Sequence, residues 1–285
     1  MARGAQVVAL TFAALSYSLG ANAAEPIPFT RAGDLVVLEA KLNGSRPLAF
    51  VLDTGAAHMV VDSRIARELA MPENGESTIG GAGAGRIPFK KIERVSFALG
   101  ALAAADYEFV SADLSGLTSI IGRQIHGIIG YAFFAHEIVT IDYARNQIEL
   151  RDAASDVKSA GEALPIRIEK GWVFVRGTLR VAGLPEVTDE FLIDSGSNDA
   201  VDHPIAATAR ERAAVRSGNG LGAPVDGVLA TAKSLRLGSH ELRNLRVSAG
   251  GGNEQTNRLI GGAVLSRFKV TFDYPHQRVF LTPND

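Results

Sequence analysis

Apolar residues fall in short runs bounded by glycine, proline and asparagine, the pattern of strands joined by turns. The run from Leu35 to Leu42 passes into Asn43-Gly44, the strongest short hairpin signal a sequence carries, and then into Phe50-Val51-Leu52, which ends at Asp53. The succession returns later as Val173-Phe174-Val175, a glycine at Gly183, and Phe191-Leu192-Ile193 ending at Asp194. Helical stretches are few. Asp62-Ser63 predicts a short helix through Ile65 and Leu69, stopped by Pro72, with either residue as N-cap. Asp202-His203-Pro204 predicts its counterpart, with proline in the first turn. The pattern predicts an all-β protein with short helices.

The two aspartates each open a tripeptide, Asp53-Thr54-Gly55 and Asp194-Ser195-Gly196. One Asp-Thr-Gly at a turn after a strand is common by chance, so the flanks decide. Twelve residues separate Gly130 of Ile128-Ile129-Gly130 from Asp142, and twelve separate Gly261 of Leu259-Ile260-Gly261 from Asp273. Seven more lead from Tyr143 to Leu150 and from Tyr274 to Leu281. Upstream, Pro28 precedes Leu35 by seven positions, as Pro165 precedes Trp172. The middle is looser, with 77 residues from Asp53 to Gly130 and 67 from Asp194 to Gly261, a variation that loops in repeats tolerate. An internal repeat of this extent predicts two halves of one paired-carboxylate site.

Composition changes the picture by exclusion. A chain of 285 residues, 46% hydrophobic with 30 glycines, has room for one large or two medium domains. A net charge of −2 without a basic cluster argues against a nucleic-acid partner. The absence of cysteine removes disulfides, thiolate metal sites and thiol nucleophiles. Six scattered histidines lack metal-motif spacing, and His136-Glu137 has no second histidine four residues on, so no metal is expected.

The N-terminus reads as an export signal: Arg3, an apolar stretch from Val7 to Leu19, then the small-x-small triplet Ala21-Asn22-Ala23. The stretch is short for a transmembrane span. Cleavage after Ala23 or Ala24 and retention as an anchor are the two readings, and both put the working domain outside the cytoplasm, in the periplasm or secreted. Residues 151–161 are polar and lack aromatics, as in a linker. The expected organisation is a signal peptide over 1–23, an N-terminal lobe over 24–150, the linker over 151–161 and a C-terminal lobe over 162–285.

Taken together, the Asp-Thr/Ser-Gly after two apolar residues, the later apolar-apolar-Gly and the Asp-Tyr strand resemble the retropepsin-like and pepsin-like aspartic peptidases, in particular single-chain bacterial retropepsin-like proteins. The resemblance covers nearly the whole chain after the signal. It implies a two-lobed, pseudo-two-fold acid-protease barrel fold in which Asp53 and Asp194 meet as the catalytic pair. By the same match Thr54 and Ser195 would bond across to the opposite lobe, Gly55 and Gly196 would complete the support of the dyad, and Ile128-Ile129-Gly130 and Leu259-Ile260-Gly261 would pack behind it.

Two carboxylates at one point do what one cannot. A lone exposed aspartate with a pKa near 4 is a poor base and cannot also be an acid. Two within hydrogen-bond distance cannot both ionise cheaply, so they share a proton, and aspartic proteases are the standard example. The ionised member would deprotonate a water and the protonated one would donate to the peptide carbonyl, with no metal or organic cofactor. The partner is then a peptide or protein substrate. Because one chain supplies both aspartates, a monomer is expected.

Each half also carries a glycine cluster, Gly80, Gly81, Gly83 and Gly85 in the first and Gly218, Gly220 and Gly222 in the second. A phosphate-cradling loop is unsupported, because the first cluster runs into Arg86-Ile87-Pro88 and not into a helix. The family resemblance implies hairpin flaps, and an ordinary flexible loop is the other reading. Neither cluster holds the tyrosine usual in the single flap of pepsin-like enzymes, which favours the two-flap retropepsin arrangement. Ala56 and Ser197 follow the two motifs, a mixture that in the family leaves the pH optimum open. Asn198-Asp199 is unusually polar for its place, with its carboxylate either acting on the dyad or facing solvent. The function expected is an exported aspartic endopeptidase. A catalytically weak peptide-binding module of the cell envelope and a dedicated processing peptidase are the alternatives.

Overall fold

Strand Leu48–Leu52 is buried at all five positions, which is why its sequence is an unbroken apolar run and not an alternation. Phe50 and Leu52 face one hydrophobic core. Ala49 and Val51 face a second one, against which Leu117 and Ile121 of helix Ser115–Ile121 pack. The computed structural model describes residues 25–80, 86–155, 157, 161–217, 225–250 and 257–284. The fold is all-β, built as an acid-protease barrel, with four short α-helices among the described residues.

Six strands close the first barrel, in the order Leu35–Leu42, Leu48–Leu52, Gly127–Ile129, Met59–Asp62, Leu102–Ala112 and Arg86–Leu99. The first strand bends to achieve this: Val37 to Ala40 pair with Leu48–Leu52, whereas Lys41 and Leu42 pair with Ala98 and Phe97. The turn after it carries Asn43 at φ 49 and Gly44 at φ 73, a left-handed pair that asparagine and glycine adopt at little cost. The second barrel closes in the same order, with Trp172–Val181, Val187–Asp194, Leu259–Gly261, Val201–Asp202, His240–Ala249 and Val225–Leu237.

Between the barrels lies a six-stranded antiparallel stretch with strands from both halves of the chain: Ile27–Pro28, Gln147–Asp152, Glu137–Asp142, Phe268–Asp273, Arg278–Pro283 and Glu162–Glu169. At its centre Thr140 pairs with Thr271, and their hydroxyls are 2.9 Å apart. These are the positions twelve-residue spacing makes equivalent, each two residues before its Asp-Tyr aspartate, so the pseudo-two-fold axis passes between them.

The helix expected after Asp62 spans Ser63–Glu68, capped by the Asp62 carboxylate, which accepts from the N–H of Arg64 at 2.9 Å. Its expected counterpart is a 3-10 helix, Pro204–Thr208, and its cap is His203 Nδ1, which accepts from Ile205 N–H at 3.1 Å. Helices Ser115–Ile121, Tyr131–His136 and Gly262–Leu265 were not legible in the sequence, because four to seven residues cannot establish a 3.6-residue period. Strand Gln147–Asp152 runs into the polar stretch read as a linker, and Val157 beyond it is buried against Ile138 and Phe280.

Candidate active site

Both aspartates sit where a buried strand leaves its barrel. Val51 and Leu52 run parallel to Ile128 and Ile129, and Asp53 N–H donates to the carbonyl of Ile129 at 3.0 Å. In the other lobe Leu192, Ile193 and Asp194 run parallel to Leu259, Ile260 and Gly261. The two apolar-apolar-Gly segments are therefore the direct hydrogen-bonded neighbours of the motif strands. Their glycines are there for space: a Cβ on Gly130 would stand 2.2 Å from the carbonyl oxygen of His58, and one on Gly261 would stand 2.3 Å from that of Asp199.

The second residue of each motif binds the opposite lobe. Thr54 Oγ1 donates to Ile193 O at 2.8 Å and accepts from Ser195 N–H at 2.9 Å. Ser195 Oγ donates to Leu52 O at 2.8 Å and accepts from Thr54 N–H at 3.1 Å. Both hydroxyls are buried, so each of these four bonds shields a backbone group that would otherwise be left unpaired in a dry interface. The arrangement is reciprocal.

This grip brings the carboxyl groups of Asp53 and Asp194 into contact, close enough to hydrogen-bond to each other. Each also accepts from the N–H of its own motif glycine, Gly55 for Asp53 and Gly196 for Asp194, both at 2.8 Å. Part of each aspartate stays open to the cleft, yet the crowding of protein around the carboxyls raises both above the ordinary carboxylate range. Asp194 is raised further. Desolvation leads, followed by the charge of Asp53, and only the Gly196 N–H opposes them, whereas Asp53 gains from both Gly55 and Ala56. Asp199 adds a smaller repulsion to Asp194. A pair so placed titrates as a unit and shares one proton.

Several polar residues around the motifs have partners far away in the sequence or a place in the core. Asn198 is polar because its Oδ1 accepts from the backbone N–H of Asp34 in the other lobe at 2.6 Å, over Gly33. Asp199 itself is exposed. The aspartates of the Asp-Tyr pairs are buried turn anchors: Asp142 accepts from Arg145 N–H at 2.9 Å, and Asp273 from Arg278 Nε at 2.7 Å. Tyr274 lies buried near the dyad, stacked on Phe134 at 5.2 Å, and its hydroxyl is held far from ionisation by burial and by the charges of Asp53 and Asp194.

Of the glycine clusters, Gly80 ends strand Asn74–Gly80, opposite Arg86 of the neighbouring antiparallel strand. Gly81, Gly83 and Gly85 lie outside the described residues, as do Gly218, Gly220 and Gly222. The strands flanking the second cluster, Arg212–Ser217 and Val225–Leu237, pair in the same antiparallel way. Among the described residues no group of three or more His, Asp or Glu comes together in a way that would hold a metal ion.

Residues 38–133 match the model of a family described as aspartyl protease. The matched segment spans the first barrel with Asp53, Thr54 and Gly55, and supports a peptidase-like function. No curated protein matches the chain.

Proposed function

We propose that the protein is an exported aspartic endopeptidase that hydrolyses peptide bonds with water activated by Asp53 and Asp194. The observation that carries this reading is the reciprocal Thr54–Ser195 grip, which leaves two carboxyl groups in contact, where a single proton shared between them supplies an acid and a base. Asp53, ionised, takes a proton from a water as its oxygen attacks the substrate carbonyl carbon. Asp194 gives its proton to the carbonyl oxygen, and the tetrahedral intermediate is neutral. Collapse reverses both transfers: Asp53 passes its new proton to the leaving nitrogen as the C–N bond breaks, and Asp194 recovers one from the intermediate's hydroxyl. The pair ends as it began, and each carboxyl acts once as acid and once as base.

Residues 1–23 are the export signal, 24–150 and 162–285 are fused repeats of one lobe, and the protein works as a monomer in the periplasm or outside the cell. Intact mass of the protein from its native host tests export, and a dominant full-length cytoplasmic species would defeat it. Sedimentation under assay conditions tests the monomer, which fails if activity appears only with dimer formation.

Catalysis is tested with the mature protein and a diverse peptide mixture across pH, followed by turnover of a cleaved peptide by Asp53→Asn, Asp194→Asn and the double variant. Each single substitution should remove nearly all turnover, and the double should be scarcely worse, because the pair acts as one unit. Substantial activity in folded Asp194→Asn would sink the dyad mechanism. A parent that binds peptides without cleaving them would favour the binding-module alternative.

A further inference from the structure

A cavity of about 190 Å³ opens on the C-terminal lobe around Trp172 and Phe174. It is smaller than the roughly 300 Å³ at which small-molecule sites begin, and suits one side chain better than a whole ligand. Its floor is aromatic. Its rim is charged, with Arg167, Lys170 and Arg258 facing Glu169, Asp189 and Glu190. The corresponding face of the first barrel, at Val37, Val51 and Ile128, is instead packed under helix Ser115–Ile121. That helix lies in the 14-residue connection between Ala112 and Gly127, whereas the equivalent connection between Ala249 and Leu259 has nine residues.

The charges in this cavity are not equivalent. Arg167 is committed: it stacks on Phe174 at 4.5 Å and donates to both oxygens of Glu190, at 3.1 and 3.0 Å, and to Glu169 at 2.6 Å. Arg258 is committed to Asp189 at 2.5 Å. No ion pair of Lys170 is found among the described residues. An entering carboxylate therefore gains an ion pair with Lys170 without breaking one, while an entering cation must compete with Arg167 or Arg258 for acids already shared.

Lys170 is also held in place. With Gly171 it forms a two-residue turn between Glu169 and Trp172, at φ 53 and φ 83, the left-handed pair of a type I′ hairpin. A lysine at the first of these positions is strained where glycine or asparagine would be relaxed, and strain of this kind gathers at functional sites. The turn rests on the N-terminal lobe, since a Cβ on Gly171 would stand 3.2 Å from Cα of Ala57. Ala57 is four residues beyond Asp53, hence at most about 14 Å from it. An extended peptide at the dyad advances about 3.4 Å per residue, so a side chain no more than about six residues from the scissile bond reaches the turn.

We propose that this cavity is a distal subsite of the cleft that takes an acidic side chain of the peptide substrate, with Lys170 as its charge partner and Trp172 as its wall. The proposal rests on the peptidase reading and names a substrate class for it. Trp172 is the single tryptophan of the chain, so its fluorescence reports the cavity alone. Acetylated decapeptides bearing Glu, Gln or Lys at each position in turn are titrated against folded Asp194→Asn protein, and the same peptides are scored for kcat and KM with the parent.

At one distal position Glu should bind about fivefold more tightly than Gln, as a partly exposed ion pair allows, with a change in Trp172 emission. The preference should appear in KM and not in kcat, and Lys170→Ala should bring the Glu to Gln ratio close to one. Equal binding of Glu and Gln peptides at every distal position, a preference for Lys, or a preference surviving in Lys170→Ala would overturn the proposal. Fluorescence on the Asp194→Asn protein reads binding without turnover. A protein that binds Glu peptides through Trp172 but never cleaves them thus fails the peptidase reading alone, and one that cleaves without charge preference fails this proposal alone.

Discussion

Gly55 backs directly onto Asp194: a Cβ on the glycine would stand 2.6 Å from the aspartate's Cγ, and by the pseudo-symmetry one on Gly196 would stand 2.3 Å from Cγ of Asp53. The two carboxyl groups can meet only because neither motif carries a side chain in its third position. Gly55→Ala and Gly196→Ala should therefore push the carboxyls apart and remove turnover. Overpacking of this sort costs about 1–3 kcal/mol. A folded Gly196→Ala protein with parental kcat would refute this account of the glycines.

Ser195→Ala should be costly for a residue that never touches substrate. It strips an acceptor from Thr54 N–H and a donor from Leu52 O, both in a buried interface. Two orphaned groups at about 1–3 kcal/mol each put the loss at roughly 2–6 kcal/mol, measured by urea unfolding. Ser195→Thr keeps the hydroxyl and copies the first lobe, so it should retain most stability. Similar losses for both substitutions would mean that volume, and not the cross-lobe bonds, matters.

The dyad makes stability fall as pH rises. Both aspartates bind their protons more tightly in the folded protein than in the unfolded chain, where the pKa is about 4. Above that pH the unfolded state has released protons that the folded pair still holds, and the slope of unfolding free energy against pH is negative. Asp194→Asn should accordingly melt higher than the parent near neutral pH, with the gap closing below about pH 4, where the parent's carboxyl is protonated in both states. A gap that stays constant down to pH 3 would contradict the raised pKa.

Two histidines act in the opposite sense. His126 Nδ1 accepts from Ala49 N–H at 2.8 Å and His203 Nδ1 from Ile205 N–H at 3.1 Å, so each must keep that nitrogen bare. Burial lowers both pKa values, though Asp62 and Glu68 near His126, and Asp189 near His203, work against it, while Arg46 and Arg64 near the first and Arg258 near the second assist. As pH falls through about 6.5 the unfolded chain takes up these protons first, and stability is lost. Between pH 7.5 and 5 this loss opposes the gain from the dyad, so the parent's melting temperature should fall relative to that of His126→Asn/His203→Asn as the pH is lowered. A difference between the two that stays constant over this range would remove the histidines as a cause.

Much of the site was legible before the fold. The motif tripeptides and the apolar runs that bury their strands lie in the elements that carry Asp53 and Asp194, because these features are local. Asn198 was not legible: its partner is the backbone of Asp34, 164 residues away, and no local pattern encodes that meeting. Nor was His203 as the cap of the 3-10 helix, since aspartate is the commoner cap and Asp202 stands beside it.

The sequence by itself determined that two equivalent Asp-Thr/Ser-Gly turns follow buried strands in an all-β chain. Only the tertiary structure decided that Thr54 and Ser195 hold each other's backbones and that the axis runs between Thr140 and Thr271. It alone put the two carboxyls into one desolvated contact, which raises both above the ordinary carboxylate range. The reason is physical: strand and turn preferences act over a few residues, whereas a shared proton depends on which distant groups the closed barrels bring within a few ångströms.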